Sequence, residues 1–350
     1  MTGPDVTPPA ATPPSAQVSP PTKASGRTCE VSHHPAAPAP LDAPDAFMEE
    51  VLEGLATQPK WISPKWLYDA RGSELFDRIT ALADYYPTRI ESEIMQASAK
   101  EMAEVAGPGS VLIEYGSGSS AKTRILLERM LDLSAYVPID ISEEHLLATA
   151  EGLRADFPAL NVVPVVADYT QPIALPPEID PAAHRVVYFP GSTIGNFHPT
   201  EARRFLRRIA DVCGEWGGLL IGVDLKKDPN VLHRAYNDSE GVTAAFNRNL
   251  LTRMNRELGS NFVEDEYTHY AFYDPQEGRV EMHLVSLTEQ TVHVGGQDFS
   301  FRAGESLWTE CSYKYARWQF RELAAGAGFE EQQTWTDAEE RFAVMYLEAR

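Results

Sequence analysis

Val111-Leu112-Ile113-Glu114-Tyr115-Gly116-Ser117-Gly118-Ser119-Ser120 decides the fold: a short apolar run, a glycine-rich turn, then a helical pattern over residues 121–131. Such a run reads as a buried strand, and the helix behind it turns unpaired N–H groups toward whatever the loop holds. The alternation continues outward from this stretch. Residues 136–141 form a second strand, followed by a helix over 142–157. Third and fourth strands lie at 162–166 and 186–189. Pro199 opens a helix that reaches residue 212, and a fifth strand follows at 219–223. Strands separated by helices of this length are βαβ units, so the fold class is α/β with a parallel sheet covered by helices on both faces.

After Asp224 the pattern changes. Helical segments at 229–236 and 241–258 lead into strand-like runs at 267–273, 280–287, 291–294 and 299–301. This α+β block interrupts the alternation, which resumes with a helix near 317–327 and terminal strands at 331–335 and 343–348. A short polar loop joins those two strands, which predicts an antiparallel edge. Upstream, residues 47–55 and 73–82 carry helical spacing. Between and after them lie two aromatic loops, Trp61-Ile62-Ser63-Pro64-Lys65-Trp66-Leu67-Tyr68-Asp69 and Asp84-Tyr85-Tyr86-Pro87-Thr88-Arg89. Residues 1–45 hold 11 of the 26 prolines and read as a disordered tail. The expected organisation is a tail over 1–45, a main domain over 46–224 and 312–350 with an N-terminal helical cap, and an inserted α+β substrate-binding domain over 225–311.

Composition narrows the partners. With 30 basic and 51 acidic residues among 350, the formal charge is −21, which opposes nucleic acid and anionic membrane surfaces. No stretch approaches the roughly 18–20 apolar residues of a membrane span. The N-terminus lacks a cationic start followed by an apolar run, so no secretory signal is expected. Cys29, Cys213 and Cys311 are odd in number and have no C-x-x-C spacing. That excludes a disulfide scaffold and a cysteine zinc site, and His33-His34 has no further ligands beside it. The expectation is a cytoplasmic, monomeric protein with no metal that acts on a small molecule.

Gly116-x-Gly118-x-x-Ala121 has dinucleotide-type spacing, a weak signal alone. Asp140 ends the second strand, where a carboxylate can accept both ribose hydroxyls, and Asp168-Tyr169 follows the third, beside an adenine edge. Each aspartate could instead cap a loop or helix; three elements in register point to an adenosine-containing cofactor. A nicotinamide dinucleotide and S-adenosylmethionine both fit. Lys122 can pair with a cofactor carboxylate, which a nicotinamide lacks, and no His–Asp or Tyr-x-x-x-Lys relay supports hydride chemistry. The antiparallel terminal strands make the chain resemble the class I S-adenosylmethionine-dependent methyltransferases, which implies a Rossmann-like seven-stranded sheet with an antiparallel last strand. The cofactor contacts would then be Gly116, Ser117, Gly118, Lys122, Asp140, Asp168 and Tyr169.

A closer resemblance rests on five blocks: Trp66-Leu67-Tyr68-Asp69-Ala70-Arg71-Gly72-Ser73-Glu74-Leu75-Phe76, Tyr85-Tyr86-Pro87-Thr88-Arg89, Gly116-Ser117-Gly118-Ser119, Pro190-Gly191-Ser192-Thr193-Ile194-Gly195-Asn196-Phe197 and Thr309-Glu310-Cys311-Ser312-Tyr313-Lys314-Tyr315. Over residues 47–350 they resemble the histidine-specific Nα-methyltransferases, which make Nα-trimethylhistidine (hercynine) for ergothioneine biosynthesis. The resemblance implies an Asn196 and Tyr236 clamp for the substrate carboxylate, and a Gly191 carbonyl near its amine. It implies that Tyr68 holds that amine through a water, that Tyr85 lines the imidazole side, that Glu310 and Ser312 grip the imidazole, and that Met282 packs on the ring. Tyr68 and Asn196 are the implied catalytic positions. Tyr68, Tyr85 and Phe197 are expected to face the growing cation. Ordinary roles compete: Glu310 as an exposed strand carboxylate, Ser312 as a helix cap, Tyr236 and Met282 as core. Relatives on this scaffold methylate other amino acids such as tryptophan, which stays open as the alternative substrate. A serine-hydrolase reading of 191–195 fails because residue 193 is threonine.

Overall fold

The computed structural model describes residues 44–118 and 121–350; the expected tail up to residue 43, with His33-His34, and Ser119-Ser120 of the glycine loop lie outside them. The chain opens with α1 (Pro44–Ala56), β1 (Lys60–Trp61), α2 (Ala70–Ala81) and α3 (Tyr86–Ala106). The α/β alternation follows: β2 (Val111–Tyr115), α4 (Ala121–Leu127), β3 (Ala135–Asp140), α5 (Glu143–Asp156), β4 (Val165–Val166), β5 (Arg185–Phe189), α6 (Pro199–Cys213) and β6 (Gly218–Asp224). Then come α7 (Pro229–Tyr236), α8 (Val242–Leu258), β7 (Tyr267–Asp274), β8 (Arg279–Ser286), β9 (Gln290–Val294), β10 (Gln297–Phe301) and β11 (Ser306–Tyr313). The chain closes with α9 (Arg317–Ala325), β12 (Phe329–Thr336) and β13 (Phe342–Ala349).

The main sheet has seven strands in the order β12-β13-β6-β5-β2-β3-β4. β2 to β6 pair in parallel, and β13 enters antiparallel between β6 and β12. Composition explains that placement: β13 is buried almost throughout, whereas β12 carries Glu330, Glu331, Gln332 and Gln333, suited to a solvated edge. Alternate residues feed two cores. Leu112, Tyr188, Leu220 and Val344 face one, with α3 and α4; Ile113, Phe189, Ile221 and Met345 face the other, with α6 and α9. This is the class I methyltransferase arrangement. No described helix is long and apolar enough to cross a membrane.

Two elements depart from the sequence expectations. Tyr86-Pro87-Thr88-Arg89 is not loop but the first turn of a 21-residue helix. Pro87 suits a first turn, where its missing N–H costs nothing, and Tyr86, Ile90, Ile94 and Met102 continue the buried stripe. The third strand shrinks to β4, with Val162 joined to Tyr136 only by an isolated bridge.

A second sheet, ordered β1-β11-β8-β7, stacks against α7 and α8, and the β9–β10 hairpin turns through Gly295-Gly296, both at positive φ. Its inward residues Met282, Leu284 and Leu307 join the same core as Leu112 and Tyr188. β11 runs across positions 311 and 312, where the domain boundary was expected.

Candidate active site

At the carboxyl edge of the main sheet, Gly116 and Gly118 take positive φ of 73° and 42°, conformations that glycine adopts without strain. A Cβ at Gly116 would stand 3.5 Å from the Tyr169 ring, so Tyr169 closes over the loop, stacked on Tyr115 at 5.7 Å. Ser117 is buried in the same turn. Asp140 and Asp168 each bond through Oδ1 to the backbone N–H two residues on, at 3.0 and 2.8 Å; the local turn roles are real, and both carboxylates still converge on Tyr169. A pair of glycines in the left-handed region, an aromatic lid and two strand-end carboxylates fit an adenosyl group. Lys122 departs from the expectation that it stands ready for a cofactor carboxylate: its ammonium pairs with Glu91 at 2.5 Å.

Glu91 escaped the sequence reading with the rest of α3. Fully buried, it also accepts the Gly191 N–H at 3.0 Å, tying the glycine expected beside the substrate amine to the lysine expected beside the cofactor. Gly222 makes room for it, since a Cβ there would come within 2.2 Å of the Glu91 carboxylate.

The residues expected on the substrate side lie on β8 and β11. Glu310 lies opposite Met282 across the ladder, after a bulge between Trp308 and Glu310. Glu310 and Ser312, two apart, share one face, so neither the exposed-carboxylate nor the helix-cap reading holds. Cys311 faces the other way, into the second core. Glu310 is only 9% exposed, and its carboxylate makes no hydrogen bond among the described residues. Burial pushes it up to about 7, moderated by the Lys314 ammonium. A buried carboxylate without a donor is costly unless a ligand completes it.

Tyr68 and Tyr85 face Glu310 and Tyr236, and burial, reinforced by those neighbours, raises both phenols well above their usual value. The Tyr68 residue as a whole is still 39% exposed. Phe76 and Phe246 complete the box, each 5.4 Å from the Tyr68 ring, and Tyr85 stands 6.3 Å from Tyr236. Phe197, expected here, is instead stacked on Phe205 at 4.8 Å and packs into the second core. Tyr68 is positioned by its neighbour: Asp69 caps α2 through the Gly72 N–H at 2.7 Å and accepts from Asn249 and Arg256 of α8, each at 2.7 Å. Met282 is core, 2% exposed, and lies beside Glu310.

Asn196 ends a 3-10 turn (Thr193–Asn196) that follows Ser192 at φ 56°. Gly195 lets this turn sit on β11, since a Cβ there would meet the Tyr313 carbonyl at 2.8 Å. The Asn196 side-chain amide makes no hydrogen bond to the described residues.

Beneath the face, Lys314 donates to Tyr236 Oη at 2.9 Å and to Ser312 Oγ at 2.7 Å, and pairs with Asp224 at 2.8 Å. Because an ammonium only donates, Tyr236 must turn its own O–H elsewhere. Asp224 is also held by Tyr86 Oη at 2.8 Å and by Lys227. Burial would raise the Asp224 carboxyl, but Lys314 and Lys227 outweigh it and hold it below its ordinary range. Lys314 stands inside a quoted motif, but its role depends on partners from β6 and α7 that sequence spacing does not reveal.

Comparison with known proteins agrees with this geometry. The chain is 40% identical over 300 residues to the histidine N-alpha-methyltransferase of Mycolicibacterium smegmatis, covering 84% of this chain and 92% of that one. It is 32% identical over 290 residues to ergothioneine biosynthesis protein 1 of Neurospora crassa, covering 79% of this chain and 32% of that longer one. It is 28% identical over 321 residues to the 4-dimethylallyltryptophan N-methyltransferase of Claviceps purpurea, covering 84% and 92%. The family described as "Histidine-specific methyltransferase, SAM-dependent" matches residues 47–349. With the seven-stranded topology, this places the chain in the family of histidine-specific, S-adenosylmethionine-dependent methyltransferases.

Proposed function

We propose that the protein transfers three methyl groups in succession to the α-amine of L-histidine, giving hercynine for ergothioneine biosynthesis. The observation that carries the choice of histidine is Glu310, a buried carboxylate lacking a donor and aligned with Ser312 on one strand face. An imidazole supplies the N–H that Glu310 lacks, and Ser312 meets the second ring nitrogen. Tyr236, its oxygen already engaged by Lys314, turns its O–H to the substrate carboxylate beside the Asn196 amide. The second sheet, through the end of β11, serves with α7 and α8 as the substrate-binding layer.

When bound, S-adenosylmethionine supplies a methyl group on a sulfonium, a good leaving group. Gly116, Ser117, Gly118, Asp140, Asp168 and Tyr169 would hold it, and Lys122 would join them only by giving up Glu91. The chain must then aim a neutral amine in line with that methyl, about 3–3.5 Å from it. Tyr68 orients the amine through a water, and the Gly191 carbonyl, fixed through its N–H by Glu91, accepts from it. A phenol raised above its usual value is no base at neutral pH, so the amine proton leaves to solvent. Tyr68, Tyr85, Phe76 and Phe246 give the quaternary product aromatic faces worth about 1 kcal/mol each.

Incubation of the enzyme with S-adenosylmethionine and histidine, tryptophan or tyrosine, read by mass spectrometry, tests this. Histidine is expected to gain one, two and three methyl masses. Methylation of tryptophan with histidine untouched would overturn the substrate assignment.

A further inference from the structure

The crossover from β4 to β5, residues 167–184, carries Pro172, Pro176, Pro177 and Pro181 and forms no helix. Where an α/β unit would lay a helix on the sheet, this coil leaves a cavity of about 570 Å³ against α6. Tyr115, Ile173, Leu175 and Ile179 supply apolar walls, and Arg185 and Arg208 line it as well. The guanidinium of Arg185 bonds the Val212 and Pro181 carbonyls at 3.1 and 2.6 Å, but its Nε is buried without a partner. Half-buried Arg208 makes no hydrogen bond or ion pair among the described residues, and its Nε is buried and unpartnered too. Burial first and the neighbouring Arg204 next lower its affinity for its own proton, while Asp168 and Tyr115 act the other way. A guanidinium with a buried, unpartnered Nε at an apolar cavity is suited to an anion, because anions are what guanidinium groups bind.

We propose that this cavity, which adjoins the cofactor half across the Tyr115–Tyr169 stack, is a second binding site for a small organic monocarboxylate with an apolar body held by Arg208. The volume lies within the range of small-molecule sites, whose walls are mostly apolar with a few polar groups. Asp211 also lines the cavity and forms no ion pair with either arginine, so the site disfavours dianions such as phosphate. The apolar walls match a hydrocarbon or aromatic body.

Calorimetric titration of benzoate into the full-length protein tests this, with histidine and S-adenosylhomocysteine saturating to fill the cleft. Saturable one-to-one binding is expected. Arg208→Gln should weaken it by at least about tenfold, and Leu175→Trp, which fills the cavity and spares the arginine, should abolish it. If Arg208→Gln fails to fold, Leu175→Trp carries the decision. No saturable binding in the wild type, or binding unchanged in the folded variants, overturns the proposal. Tighter Arg208-dependent binding of inorganic phosphate overturns the carboxylate assignment. Benzoate bound only when histidine is omitted places it in the cleft and overturns the second site.

Discussion

The proposed cofactor and substrate halves each bury a carboxylate that burial pushes up to about 7, and they treat it in opposite ways. Glu114, just before the glycine loop, accepts from Thr123 Oγ1 at 2.7 Å and from Tyr136 Oη. Glu310, on the proposed substrate face, accepts from no described side chain. A buried acid with its donors supplied is architecture. One left without donors costs stability that only a ligand returns. Burial or titration alone would not separate Glu114 from Glu310; the partner census does.

The most severe way to break the contrast is Lys314→Met. It leaves Asp224 buried with one cation fewer and frees Tyr236 and Ser312 together. Breaking a buried pair costs about 3–5 kcal/mol, so urea unfolding should show a loss of that size. The wild type's cofactor affinity should survive in the fraction that stays folded, because no described contact of Lys314 reaches the glycine loop. Equal loss of cofactor binding would show that the halves are not separate.

Glu310→Ala sharpens the comparison directly. Histidine affinity measured by calorimetry should fall about 100-fold, on the order of 3 kcal/mol for a charged hydrogen bond and the ring nitrogen left unpaired. Cofactor affinity should stay within about twofold. Undiminished histidine binding would remove Glu310 from the substrate face.

The pH dependence of stability gives a smaller effect with a definite sign. A carboxyl raised from 4.5 to about 7 in the folded chain binds its proton more tightly there than when unfolded. Its stabilising contribution is therefore full below about 4.5 and is lost as pH rises through 7. Glu310→Gln removes that loss and leaves Glu114 as it was. Without histidine, the variant should gain on wild type between pH 5 and pH 8 by about 2 kcal/mol, seen as a melting temperature higher by a few degrees at the alkaline end. A gap that shrinks with pH would contradict the raised carboxyl.

The same division sorts what the sequence made legible. The cofactor half is local: strand, glycine turn and helix follow within 20 residues, and Asp140 and Asp168 sit at strand ends that spacing alone locates. The substrate half is assembled across the chain, and only the resemblance brought Tyr68, Tyr236 and Glu310 together. Glu91 was lost because Pro87 reads as a loop marker, although its place one residue into α3 is a helix-start signal and the stripe from Tyr86 to Met102 was there to find. Phe197 was misassigned because its spacing beside Asn196 says nothing of which core it enters. Lys122 was read as open to a ligand because its partner lies 31 residues away on that missed helix.

Tyr68→Phe is the smallest and most discriminating change, because it separates orientation from proton abstraction. The ring keeps its edge contacts with Phe76 and Phe246, so the aromatic box and the fold should persist. What is lost is one hydroxyl whose proton is held more firmly than in a free phenol, by burial first and by Glu310 second. A group so held can orient the amine and its water but cannot take a proton near neutrality. Loss of one orienting hydrogen bond should lower kcat by about tenfold, with the alkaline rise of the pH–rate profile intact, because that rise belongs to the substrate amine. A general base would behave otherwise: its removal costs about 100- to 10,000-fold and erases the dependence on its own titration. A loss of that size with a flattened profile would make Tyr68 the base and return the proton path to the protein.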